Sequence, residues 1–113
     1  MGKIKEIEFE ESVGNVFEDI GFDQDTAKRL THKAELVGVL RRYQVEHELT
    51  QSELSRVVGI PQPRLSTLYR GKIAGMSTDK LLDAVARLGA RVTIRVEEHP
   101  DQSHAGTVEL ELA

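Results

Sequence analysis

Residues 50–71 constrain this chain more than any other stretch. Thr50-Gln51-Ser52-Glu53 is a reciprocal helix-start signal: the Thr50 hydroxyl can accept from the Glu53 backbone N–H, and the Glu53 carboxylate can accept from that of Thr50. The helix it opens carries Leu54, Val57 and Val58 on one side and stops at Gly59, a residue free to adopt the left-handed backbone a tight turn demands. Ile60-Pro61-Gln62-Pro63 restarts the chain, with Pro63 in a first helical turn where its missing N–H is no loss. Leu65, Leu68 and Tyr69 form the inward stripe of a second short helix that ends at Gly71. Two short helices around a glycine have the spacing of a helix-turn-helix, with Leu54, Val58, Ile60, Leu65 and Leu68 as the clamp between them and Ser55 small enough for a close crossing.

Around this pair the periodicity predicts further helices. Val13, Val16, Phe17 and Ile20 suggest a helical turn ended by Gly21. Asp23 and Asp25 offer N-caps for a long helix over about residues 25–47, with a stripe of Ala27, Leu30, Ala34, Val37, Leu40 and Tyr43 or Val45; a break at Thr31-His32 is the alternative left open. Ser77 caps a last helix in which Leu81, Leu82, Val85, Ala86 and Leu88 face inward before Gly89. Arg91-Val92-Thr93-Ile94-Arg95-Val96 alternates with period two and reads as a strand; Val108-Glu109-Leu110-Glu111-Leu112 is a second alternation that would pair with it or stay loose. The expected organisation is an acidic flexible segment at 1–12, one domain at 13–97 and an acidic tail at 98–113.

Charge follows the same division. Residues 26–96 hold 13 Lys and Arg against six Asp and Glu, net +7, while residues 1–25 are net −6 and residues 97–113 net −5, which together give the chain its −4. A basic centre suits phosphate contacts; solvated helix faces between acidic ends account for the same numbers. Within residues 50–75 four bases face one acid. The outward side of the second short helix offers Gln62, Arg64, Ser66, Thr67 and Arg70. Arg can donate twice to guanine, Gln can pair with adenine, and Ser or Thr can reach base edges or phosphate. Gln51 at the first short helix's N-terminus and Lys72 after the second are placed for phosphate. Arg64 and Arg70 show no packing duty in the sequence; Thr67 reads equally as a half-buried helix residue.

These residues carry a resemblance. Thr50-Gln51-Ser52-Glu53-Leu54-Ser55, Gly59-Ile60-Pro61-Gln62-Pro63-Arg64-Leu65-Ser66 and Arg70-Gly71 resemble the Xre family of lambda-repressor-like DNA-binding domains, with Ser55 where that family usually has Ala. Gly14-Asn15-Val16-Phe17-Glu18-Asp19-Ile20-Gly21-Phe22, Pro61-Gln62-Pro63-Arg64, and Met76-Ser77-Thr78-Asp79-Lys80-Leu81-Leu82 followed by Leu88-Gly89 are similar to a subgroup that contains HigA-type antitoxins of type II toxin–antitoxin modules and phage-like relatives. The resemblance spans roughly residues 13–97 and implies a mainly α fold, a lambda-repressor-like helix-turn-helix bundle closed by a C-terminal β-strand. It implies a homodimer on a palindromic double-stranded DNA operator, autorepression, and often inhibition of a small basic ribonuclease toxin of the RelE/HigB kind. A lone regulator without a toxin shares these motifs. A helical protein-interaction adaptor that has lost DNA binding is the rival from another class, favoured by the acidic total and opposed by the basic centre.

The strand gives the dimer an independent argument: one amphipathic strand in a helical protein leaves an edge unpaired, and pairing with its own copy across a two-fold removes that edge. The acidic N-terminus, with Ile4, Ile7 and Phe9, suits folding onto a basic partner as well as it suits an ordinary disordered tail. Catalytic, cofactor and metal sites are not expected. The chain has no Cys, its His32, His47, His99 and His104 lack zinc spacing, and neither a P-loop nor GxGxxG occurs. No apolar run reaches the ~20 residues of a membrane span, and Met1–Glu6 lacks a secretory or myristoylation pattern, so a cytoplasmic, non-enzymatic protein is expected.

Overall fold

A computed structural model describes residues 17, 19–98 and 106–112. Among the described residues four helices are defined: α1 (Gln24–Glu46), α2 (Gln51–Val58), α3 (Gln62–Tyr69) and α4 (Thr78–Arg87). Val13 and Val16 of the expected first turn, and His99 and His104, lie outside these residues. Phe17 and Asp19 are helical, and Gly21 follows at φ +102°.

The helices start where side-chain oxygens can accept the backbone N–H groups that a first turn leaves unpaired. Asp23 accepts from Thr26 at 2.8 Å, Thr50 from Glu53 at 3.1 Å, and Ser77 from Lys80 at 3.1 Å. The reciprocal bond from the Thr50 N–H to Glu53 Oε1, 3.0 Å, completes the capping box. α1 is continuous through Thr31-His32. The Thr31 hydroxyl is buried and donates to the Ala27 carbonyl at 2.9 Å, so a residue that could have broken the helix is satisfied within it.

α1 packs along α4 and reaches α3, while α2 contacts both α3 and α4. The core where they meet comprises Leu30, Leu36, Val37, Leu40, Leu54, Val58, Ile60, Leu65, Leu68, Ile73, Met76, Leu81, Ala84 and Val85. Leu54, Val58, Ile60, Leu65 and Leu68, the clamp predicted for the two short helices, are all in it with Tyr69 packed against it, whereas Val57 and residues of the other helices depart from the expectation. Val57 is exposed because Leu54 and Val58 already fill the α2 face. Val45 is exposed because α1 runs past the core, and Ala86 faces solvent on α4 while Ala84 is fully buried. His32 and Glu35 are buried on α1, whose central position draws more than one face inward.

The expected C-terminal strand is not formed. Residues 91–98 carry no helix and no strand pairing, and neither do residues 106–112, so the hairpin alternative is not formed either. Arg95 and Glu97, two residues apart, form an exposed ion pair at 3.0 Å. A strand needs a neighbour to bond to, and none of the described residues pairs with residues 91–96. Leu110 packs against the core from the other segment.

Two changes test the capping box. Thr50→Ala should cost about 1 kcal/mol in denaturant melts. Glu53 is held below its ordinary value of 4.5 first by the Thr50 backbone N–H, and Asp23 below 3.8 first by that of Thr26. Both carboxylates therefore add stability that is present above those ordinary values and lost as pH falls through the lowered folded ones. Glu53→Gln keeps an acceptor and removes the charge, so thermal melts between about pH 5 and about pH 3 should show a shallower decline than the parent.

Candidate nucleic-acid interface

The candidate interface is built on the turn between α2 and α3. Gly59 caps α2 in the left-handed conformation, φ +70°, with its N–H donating to the Ser55 carbonyl at 3.0 Å. The Ser55 hydroxyl donates to the carbonyl of Ile60, so Ser55 ties the turn as well as fitting the crossing. Ile60 is fully buried directly after the turn, and Leu54, Val58, Leu65 and Leu68 close around it. From α4, the Arg87 guanidinium lies over the turn, within 3.0 Å of where a Gly59 Cβ would stand, and is itself paired with Asp83 at 3.1 Å.

Leu65 and Leu68 turn inward, so on a helical wheel Pro63, Ser66, Thr67 and Arg70 centre on the outward side of α3, with Gln62 and Arg64 on its two flanks. Gln62, Arg64 and Arg70 are exposed, as is Lys72 beyond the helix; Ser66, Thr67 and Gln51 are half-buried. Gln51 and Gln62 thus meet at the N-terminal edge of the two short helices, while Arg70 and Lys72 lie at and beyond the C-terminal end of α3. Several of the predicted site residues are held by neighbours. Gln62 Nε2 donates to Gln51 Oε1 at 3.1 Å, linking the first residues of the two helices. This leaves Gln62 one N–H and its carbonyl oxygen, the donor–acceptor pair that matches adenine in the major groove. Glu53 occupies the α2 N-terminus in the capping box, which makes the Gln51 amide, rather than the helix end itself, the group suited to a phosphate. The Thr67 hydroxyl donates to the Pro63 carbonyl at 2.9 Å and receives a long bond from Arg70 Nη2 at 3.4 Å. The bland reading of Thr67 is therefore the one its geometry favours.

Arg64 corrects the sequence reading most clearly. It does have a structural partner: its Nη2 donates to the Gly75 carbonyl at 2.7 Å, across the loop between α3 and α4. Lys33 of α1 donates to the adjacent Ala74 carbonyl at 3.3 Å. Sequence spacing gives no sign of either bond: Arg64 reaches back onto the loop that follows its own helix, and Lys33 joins elements far apart in the chain. Pro63 was also passed over; exposed at the centre of the outward side, its ring is an apolar surface suited to a thymine methyl. At the far end of α3, Tyr69 donates to Gln44 at 2.8 Å and lies under the Arg41 guanidinium, 4.6 Å from the ring centroid. Burial pushes the Tyr69 hydroxyl above its ordinary pKa, with Arg41 opposing that shift to a smaller degree. Arg41 thus braces α3 against α1. His47 caps α1 and stacks on Tyr43 at 3.9 Å, a polar helix end. No cluster of metal-ligating side chains occurs among the described residues, and no described helix is long and apolar enough to cross a membrane.

The turn is testable before any ligand is known. Gly59→Ala forces an L-residue into the left-handed region at about 1–2 kcal/mol and drives its Cβ onto Arg87. Urea melts should show that loss, and Arg87→Ala should recover only the contact portion of it.

The sequence profile of a helix-turn-helix domain family matches residues 16–97. Comparison with curated proteins and with solved structures gives no match.

Proposed function

We infer that this chain, which belongs to the helix-turn-helix domain family, is a sequence-specific transcriptional repressor that binds a palindromic operator as a homodimer, with α3 in the major groove. The observation that carries this reading is the Gln51–Gln62 bond. It orders two polar heads at the common N-terminal edge of α2 and α3, where one suits a phosphate and the other a base edge. Gln62, Arg64 and Ser66 are assigned to bases, with Thr67 supporting from its back-bonded position. Gln51, Arg70 and Lys72 are assigned to the backbone. No catalytic role, cofactor or metal forms part of the proposal.

The dimer is supported by the surface that residues 91–98 leave open. Ile94 is 76% exposed and Val96 91% exposed on backbone with no strand partner among the described residues. At the root of this segment Val39, Tyr43, Leu88 and Ala90 line an open groove of about 360 Å³, flanked by Arg42 and Glu46. Antiparallel pairing of residues 91–96 with a second copy satisfies the unpaired backbone and covers these side chains. It also sets two α3 helices about 34 Å apart for successive major grooves.

The finer proposal follows the resemblance to HigA-type antitoxins: the repressor autoregulates its own operon and neutralises a small basic RelE/HigB-like ribonuclease toxin. A pull-down from cells carrying the native flanking genes tests it. A small basic protein co-eluting in fixed stoichiometry supports the antitoxin role, whereas upstream DNA without such a protein leaves a lone regulator.

DNA binding is tested on duplexes that the protein itself selects from a randomised pool. Arg64→Ala should cost roughly 1–3 kcal/mol and relax preference at one base pair, and Lys72→Ala should weaken all sequences alike and flatten the salt dependence. If no sequence is selected, the reading fails. Sedimentation at micromolar concentration should give a dimer for the parent and a monomer for Ile94→Asp; a monomeric parent removes the dimer.

A further inference from the structure

We propose that Gly75, in the loop after α3, is a positioning residue for base recognition: its carbonyl holds the Arg64 guanidinium, and its missing side chain leaves the space that guanidinium occupies. The proposal rests on the DNA-reading role given to Arg64 above.

Three observations carry it. The first is the bond itself, Arg64 Nη2 to Gly75 O at 2.7 Å, the length of a strong charge-assisted hydrogen bond. The second is the fixity of the acceptor. Ile73 and Met76, on either side of Ala74-Gly75, are both buried, and the Met76 N–H donates to the Ile73 carbonyl at 3.3 Å. Lys33 ties Ala74 O from α1. The Gly75 carbonyl is therefore anchored to the core through a closed turn. The third is the identity of the residue. Gly75 is not among the glycines with positive φ, so its backbone does not call for glycine. What a Cβ there would meet is Arg64 Nη2, at 3.3 Å.

The chemistry follows from the donor count. A guanidinium has five N–H donors in a rigid plane, and one bond to a carbonyl leaves the others to face outward. Bidentate donation to guanine requires that plane in one orientation. An exposed arginine on the flank of α3 with no anchor would sample many rotamers, and ordering it on binding would cost affinity. The anchored turn fixes the plane beforehand, so a residue that touches no base sets discrimination at one base pair.

The experiment uses the full chain and the duplex the parent selects from a randomised pool, with each base pair then substituted in turn. Arg64→Ala identifies the base pair at which discrimination collapses. Gly75→Val should lose about three- to tenfold of discrimination at that same base pair. Gly75→Ala should lose less, because its Cβ displaces the guanidinium by only a few tenths of an ångström, and it carries the test should Gly75→Val fail to fold. In both variants the salt dependence and the melting temperature should stay those of the parent. In an Arg64→Ala background neither change should add to the loss. The proposal is overturned if the Gly75 variants weaken all duplexes equally, or if they act undiminished without Arg64. It is overturned too if Arg64→Ala leaves every base preference intact while Lys72→Ala still flattens the salt dependence. In that last case the bond is a structural tie and DNA binding stands. A parent that selects no sequence overturns both.

Discussion

Everything that α2 and α3 present depends on the left-handed turn at Gly59. The turn reverses the chain within the space that lets Leu54 and Val58 face Leu65 and Leu68 across Ile60, all of them at most 2% exposed. Each such side chain contributes about 1.5–3 kcal/mol by leaving water, but only if the two helices cross where these residues meet. The glycine is thus a geometric condition on the hydrophobic gain. Ser55 and Arg87 sit on either side of the condition, one bonding the Ile60 carbonyl and the other lying over the open Cβ space. A helix pair of eight residues each is too short to persist alone; its definition comes from this clamp and from α1 and α4 behind it.

Rigidity at the turn passes outward to the polar heads. Gln62 leans on Gln51, Arg64 on Gly75, Arg70 loosely on Thr67, and Thr67 on Pro63. Each bond ties an exposed or half-buried side chain to a neighbouring group of the helix pair or of the loop behind it. The heads therefore stand ordered without being buried, which suits recognition: donors remain available while part of the entropic cost of ordering them is already met. The same logic explains why the whole-chain charge says little. The net −4 is a sum over segments of opposite sign, and the field near α3 is dominated by charges within about a Debye length.

What was legible in the sequence is what is local. The Thr50 box, the Ser77 and Asp23 caps, and the glycine stops at 59, 71 and 89 each depend on a few consecutive residues, and each is where the sequence places it. The two inward stripes were legible because helical period and burial coincide there. The alternative break at Thr31-His32 is not taken and the long helix runs through, since the Thr31 hydroxyl back-bonds to Ala27. The bonds from Arg64 and Lys33 to the loop were illegible for the opposite reason. They join parts of the chain that the sequence does not bring together, and an exposed arginine on a short helix looks the same with or without such a partner. Of the candidate site, residue identities were readable and their restraints were not.

The missing strand belongs to this same distinction. Alternation in residues 91–96 specifies two sides of an extended backbone, and Arg95 within it does meet Glu97 just beyond it as an ion pair. Alternation does not specify a partner, and a strand exists only in the bonds it makes with one. Helix signals close within a single chain because each carbonyl finds its donor four residues on; strand signals close only in an assembly of segments. Under the proposed dimer, exposed Ile94 and Val96 are the edge that a second copy covers, since an apolar edge left in water invites pairing. A two-fold copy answers that demand with the least new information, because the complementary edge is the same sequence reversed. A single α3 has few side chains to offer to bases and phosphates, and in the proposed dimer a second one turns a weak contact into a tethered pair. On this reading, the segment that looks unfinished in one chain is the segment that makes two recognition helices act as one.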